Sequence, residues 1–286
     1  MNIFKALRPL NLLILFISQL LTSYFLGFGN LLQDVFDKSH LSIYLTTQLC
    51  AIFGYLFNDI MDIKADAVNR PSANYLADLP TRNKGLIIAI ISAGFAILSG
   101  FLMSYKLGVL ITLVISLLFF YSVSLKRLPI IGNLIIAALG AFSVFILLAF
   151  DTNLNQELVI IFSINAFGIH FIREILKDTQ DMDGDRAAGY KTFPVLTGIK
   201  ATRSLILILL FLYILVFTTC IRLMMVRYFS APLNYIFLAY NILCIGLPLF
   251  HLLSQLQLAT EKSDFLYLSR VSLYIMITGT LSMLFF

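Results

Sequence analysis

Apolar runs of about twenty residues recur nine times along the chain, each closed by a short polar interval, and a helix of that length spans a bilayer core. The runs predict helices over 9–28, 41–60, 85–104, 107–124, 130–150, 157–177, 202–221, 231–255 and 267–286. Lys106 and Gly108 alone mark the boundary between the third and fourth. The amino-terminal stretch has the Lys5 and Arg8 of a signal peptide but no small-residue cleavage site, so it reads as a retained first span. The fold class expected is all-α, a polytopic membrane bundle forming one domain over 1–286.

Composition strengthens this reading. Residues are 60% hydrophobic and 12% charged, with 26 Phe and a mean hydropathy of +0.94. A soluble domain so poor in charge would expose one continuous apolar surface. Cys50, Cys220 and Cys244 lie far apart in apolar stretches and read as small hydrophobes. With the amino terminus inside, only Lys38, Lys106, Arg222 and Arg227 of the twenty Lys and Arg fall outside, and the other sixteen fall inside. That positive-inside bias predicts a multi-pass protein of the cell membrane, with its amino terminus on the cytoplasmic face. It also accounts for the basic balance without nucleic acid, for which no motif exists.

Against this background, Asp59, Asp62 and Asp66 follow the second predicted helix, and Asp178, Asp181 and Asp185 follow the sixth with the same spacing. Spacings of three and four put side chains on one helix face, so each triplet reads as a carboxylate stripe from which Asp183 points away. The repeat hints at a duplicated four-helix unit, with no wider similarity between the two halves. A lone D-x2-D at a helix end is ordinarily a solvated turn; two matched triplets on one membrane face, in a chain of fifteen acids, are not. Oxygen ligands without nearby His or Cys suit Mg²⁺, which shares carboxylates with substrate phosphates. Arg70, Lys126, Arg127, Lys177, Arg186 and Lys191 lie on the same side, so the set describes a diphosphate site whose substrate is otherwise lipid. Asn58 reads as a polar contact there and Tyr121 as an interfacial aromatic, while His40 and His251 read as structural. His170 lies one turn from Arg173 and Glu174. No Ser–His–Asp, Cys–His, zinc or glycine-loop phosphate motif is present, nor is the D-G-x-x-A-R order of CDP-alcohol phosphotransferases.

The stretch NDIMDIKAD (58–66) resembles the N-D-x-x-D-x-x-x-D motif of the UbiA superfamily of intramembrane prenyltransferases. REILKDTQDMDGDRAAGYKT (173–192), FYSVSLKRLPIIGN (120–133) and RPLN (8–11) look most like its archaeal geranylgeranylglyceryl-phosphate geranylgeranyltransferase branch. The resemblance implies nine helices around a central cavity with the aspartates at its cytoplasmic mouth. It implies Mg²⁺-dependent transfer of a prenyl group from a prenyl diphosphate to a lipid or aromatic acceptor. By motif position, Asp59, Asp62, Asp66, Asp178, Asp181 and Asp185 would hold the metal. Tyr121 would face the reacting carbon, Lys126, Arg70 and Lys177 would meet the diphosphate, and Arg8, Asn11, Asn58, Arg186 and Lys191 would complete substrate binding. One departure is that Asn69-Arg70-Pro71 continues as Ser72-Ala73-Asn74-Tyr75, where the family usually has a second basic residue, a proline and a glycine turn. A terpene cyclase of the same superfamily would ionise the same substrate. A cation-coupled transporter is the reading from another class, but transporters place ionisable groups near the midplane.

Overall fold

The computed structural model describes residues 2–27, 36–69, 71, 75–149 and 151–286. Its named elements are all helical, with one isolated bridge between Gly27 and Leu154. We number the α-helices α1 Asn2–Ala6, α2 Pro9–Phe25, α3 Lys38–Met61, α4 Ile63–Asn69, α5 Leu79–Met103, α6 Tyr105–Val123 and α7 Ile131–Phe145, then α8 Gln156–Gln180, α9 Met182–Ala187, α10 Phe193–Tyr228, α11 Leu233–Asn241, α12 Leu247–Leu258 and α13 Lys262–Leu281. Eight stretches of the described residues are long and apolar enough to cross a membrane, and α2 is a shorter apolar helix of 17 residues. Each predicted span overlaps one of these nine, so the chain has the fold of a polytopic, integral membrane protein.

Local chemistry explains the breaks. α5 and α6 part at Ser104, whose extended backbone (φ −165°, ψ 155°) ends one helix while its side chain caps Leu107 N–H of the next. Gly198 (φ 78°) interrupts α10 near its start, between the observed helix start at Phe193 and the predicted one at 202. Between α11 and α12 a π-helical turn over Ile242–Gly246 precedes Pro248, which has no N–H for the Cys244 carbonyl four residues back. Thr278 Oγ1 of α13 donates to that carbonyl at 3.1 Å and satisfies it.

The chain forms two compact units. The first comprises Met1–Leu20, Leu31–Gly132 and Asp183–Lys191, and the second Leu21–Asn30, Asn133–Met182 and Thr192–Phe286. In the first, α3 packs against α5 and α6, and Thr47 Oγ1 donates to Gln19 Oε1 at 2.8 Å between helices, a polar link of the kind membrane helices use. In the second, α8 packs against α10 and α13 through Ile169, Ile172, Leu176, Ile206, Leu210 and Phe265. The spans are 22–56% buried, and the two most enclosed are α3 and α8, the helices that end in the aspartate motifs. Their opposite, α5, leaves Leu102, Ile90 and Phe95 exposed, as a lipid-facing helix does.

Candidate active site

The expected carboxylate stripes are broken, and both break at the same place. α3 ends at Met61 with Asp62 as its C-cap (φ −93°, ψ 4°), and α8 ends at Gln180 with Asp181 as its C-cap (φ −96°, ψ 9°). A short helix follows each, α4 carrying Asp66 and α9 carrying Asp185. The single continuous face predicted for each triplet is therefore corrected to a long helix, an aspartate at the junction and a short helix. Leaving helical geometry there relieves the stacking of like charges that an unbroken stripe would impose.

Asp62 of the first motif is held by three side chains, Lys126, Asn58 and Tyr190. Lys126 Nζ donates to its Oδ1 at 2.5 Å and to Asn58 Oδ1 at 2.9 Å, while Asn58 Nδ2 donates to Asp62 Oδ2 at 2.8 Å. Lys126 is buried in the 3₁₀ turn after α6, where it is brought in by Gly132: a Cβ at that glycine would stand 2.8 Å from the Lys126 Cα. The Tyr121 ring borders the same glycine. Burial pushes the Lys126 pKa below the usual lysine value, and the neighbouring Asp62 opposes that push. Asp59 pairs with Arg8, a residue with positive φ (52°) between α1 and α2, whose guanidinium also lies 5.1 Å from the Tyr55 ring centroid. Burial works to lower the Arg8 pKa, but Asp59 and Tyr55 outweigh it and the net shift is upward. Asn11 N–H donates to the Arg8 carbonyl at 2.9 Å in the first turn of α2.

The tail of the second motif docks on the first within the same unit. Gly184 N–H donates to Asn69 Oδ1 at 2.9 Å, and a Cβ at Gly184 would run into that Asn69 side chain. Asp185 is buried, whereas Asp183 and Arg186 are exposed. Lys191 contributes its backbone N–H to the Arg127 carbonyl at 3.0 Å and leaves its side chain exposed. Tyr190 Oη donates to Asp62 Oδ1 at 3.0 Å, and burial followed by Asp62 holds its pKa above the usual phenol value.

In the second unit, Asn133 Nδ2 donates to Asp178 Oδ2 at 2.7 Å. Lys177 turns to Glu174, with contacts of 3.0 and 2.9 Å, and Arg173 meets the same carboxylate at 3.4 Å. His170 packs against Gly140. Arg70 lies outside the described residues. Tyr190, Asn133 and Asn69 were not singled out from sequence. Each stands inside or beside a quoted motif, but its partner is 45 to 128 residues away.

Among the described residues no three His, Cys, Asp or Glu side chains converge as a metal-binding group. Asp59 and Asp62 have Arg8 and Lys126 as counter-ions. The donor set of the motif is nevertheless all oxygen, from Asn58, Asp59, Asp62 and Asp66, which is the chemistry Mg²⁺ prefers when it shares carboxylates with phosphates.

The described residues form membrane-length helices with carboxylates and cations gathered at helix ends. The UbiA prenyltransferase family matches residues 16–274, and the chain belongs to this family and is a prenyltransferase. It is 30% identical over 202 residues to the digeranylgeranylglyceryl phosphate synthase of Thermococcus sibiricus, covering 70% of each chain. A solved structure of digeranylgeranylglyceryl phosphate synthase shares the fold with TM-score 0.67 at 21% identity, over 99% of this chain and 98% of that one. A UbiA homologue from Archaeoglobus fulgidus, solved with DMAPP and Mg²⁺, shares it with TM-score 0.66 at 14% identity, over 99% of both.

Proposed function

We propose that this prenyltransferase carries a geranylgeranyl group from its diphosphate to a glyceryl phosphate lipid, with Mg²⁺, at the cytoplasmic face of the membrane. The observation that carries the reading is the buried Lys126 held between Asp62 and Asn58 at the end of an enclosed apolar helix. The digeranylgeranylglyceryl phosphate synthases among its relatives support the acceptor class. Lys126 and Arg8 are cations whose present partners are carboxylates, so a diphosphate offers them a stronger anionic partner. Asp59, Asp62, Asp66, Asp178, Asp181 and Asp185 are the proposed ligands of Mg²⁺, which when bound neutralises charge on the departing diphosphate. Lys126, Arg8 and Arg70 add positive charge where the leaving group develops its negative charge. The allylic C–O bond breaks with its electron pair leaving on the diphosphate. The Tyr121 ring is the π face proposed for the allylic cation, and apolar helices keep water from it. The acceptor hydroxyl closes the new C–O bond and gives up its proton to the departing diphosphate.

The test is incubation of purified protein and Mg²⁺ with a panel of prenyl diphosphates and phosphorylated or aromatic acceptors, with products identified by mass spectrometry. A geranylgeranyl ether of the glyceryl phosphate acceptor is expected, along with loss of turnover in EDTA and its return with Mg²⁺. A cyclised hydrocarbon formed without acceptor would establish the cyclase reading instead, and full turnover in metal-free buffer would remove the metal.

A further inference from the structure

Tyr190 is the third donor on Asp62, and neither aspartate motif requires it. Its hydroxyl reaches the same Oδ1 that Lys126 holds, at 3.0 Å against 2.5 Å. Its ring centroid lies 5.9 Å from Lys126 Nζ and 5.1 Å from the Arg127 guanidinium carbon, within cation–π range. The side chain is only 8% exposed. Its backbone is tied on both sides: Tyr190 N–H donates to the Asp185 carbonyl at 2.8 Å, and Lys191 N–H to the Arg127 carbonyl at 3.0 Å. Gly189, with φ 77°, makes the turn that delivers Tyr190 to this place, a conformation that residues with a Cβ rarely adopt.

We propose that Tyr190 is a positioning residue for the diphosphate chemistry, transmitting the docking of the second motif's tail to Asp62 and Lys126. The inference rests on the reading of those two residues as diphosphate-site groups. Lys126 is a point charge on a flexible stem, and its direction is set by what surrounds it. Asn58 lies on the same helix as Asp62 and reports nothing about the second motif. Tyr190 does, because its hydroxyl and ring reach Asp62 and Lys126 only when 183–191 is seated. Without the hydroxyl, the Lys126–Asp62 pair and the ring stacking persist, so the unit folds but its charged groups lose one fixed orientation.

The experiment uses full-length Tyr190→Phe and Tyr190→Leu beside Asp62→Asn. It measures kcat and KM for the prenyl diphosphate and for the acceptor separately. It also measures thermal unfolding with and without inorganic pyrophosphate and Mg²⁺. Tyr190→Phe is expected to lower kcat/KM for the prenyl diphosphate roughly tenfold, the scale of one hydrogen bond to a charged group, with acceptor KM unchanged. The Tm gain from pyrophosphate and Mg²⁺ should shrink, while ligand-free Tm stays within about 2 °C of the wild type. Tyr190→Leu, which also loses the ring, should fall further. Wild-type turnover by Asp62→Asn would overturn the underlying site reading. An inactive Asp62→Asn beside a Tyr190→Phe with normal kinetics and a full pyrophosphate shift would overturn the positioning role alone. A Tyr190→Phe protein whose ligand-free Tm falls in step with its activity would make the tail a structural strap, which also overturns it.

Discussion

At the scale of residues, the Lys126–Asp62 pair has unequal halves. Their side chains are 7% and 17% exposed, and removing one partner of a buried pair typically costs about 3–5 kcal/mol because the other charge is stranded. Lys126→Met leaves Asp62 with Asn58 and Tyr190 as donors, whereas Asp62→Asn leaves the ammonium with no buried anion among its hydrogen-bond partners. Both substitutions should reduce prenyl transfer by at least about a hundredfold, the scale of a lost charge-stabilising group, and Asp62→Asn should lower Tm more. Assay and thermal unfolding of the same preparations check this order. Burial lowers the Lys126 pKa, so the folded protein holds that proton less tightly than the unfolded chain. The stability cost is therefore full below the lowered value and is relieved as pH rises through it towards the ordinary one. Activity requires the charged form and should fall in the same window; Lys126→Arg should move that alkaline limb upward in a pH–rate profile.

At the scale of elements, the site is assembled by short, broken pieces rather than by continuous helices. The junction geometry at Asp62 repeats at Asp181, which the shared spacing of the two triplets did not reveal. Two glycines hold the pieces together. A methyl at Gly132 would press on the backbone of Lys126, and one at Gly184 would displace Asn69 and with it the docking of α9 on α4. Overpacking of this kind costs about 1–3 kcal/mol, so Gly132→Ala and Gly184→Ala should each lose stability and most turnover. Gly94 lies in the interior of α5 with nothing within 4 Å of an added Cβ, and Gly94→Ala should be neutral or slightly stabilising. Equal loss of activity at all three would show that helix propensity, not site packing, is being measured. The Ser104 cap was not singled out in the sequence, where Lys106 and Gly108 marked the boundary, although serine is a residue type preferred at helix starts. The Gly132 contact was not readable, because its partner is identified only by the turn at 125–127.

For the whole molecule, the sixteen-to-four division of basic residues sets the expected orientation. A cysteine replacing Ala188, in a background lacking Cys50, Cys220 and Cys244, should react with an impermeant thiol reagent only when the cytoplasmic face is opened. Labelling in intact cells would reverse the topology. A cysteine replacing Ala73, a position outside the described residues, is expected to label in the same way. The unit boundary between Met182 and Asp183 runs through the second motif, which places Asp178 and Asp181 in one unit and Asp185 and Tyr190 in the other.

The spans, the sign of their loops and the two aspartate triplets were legible in the chain because each is local. A run length, a count of charges and a spacing of three or four depend only on residues near one another. The helix junctions at Asp62 and Asp181 were not, since a backbone turning at a C-cap leaves the same spacing in the sequence as one that continues. Nor could sequence say that Arg8 answers Asp59, that Lys126 answers Asp62, or that Asn133 holds Asp178. Any cation or amide on the same side would have served the pattern equally well. Those choices follow from which backbones approach closely in the folded chain, as Gly132 brings in Lys126 and Gly184 brings in Asn69. Tyr190 is the clearest case: in the sequence it is one tyrosine among thirteen, and only the folded tail brings it to a carboxylate 128 residues away.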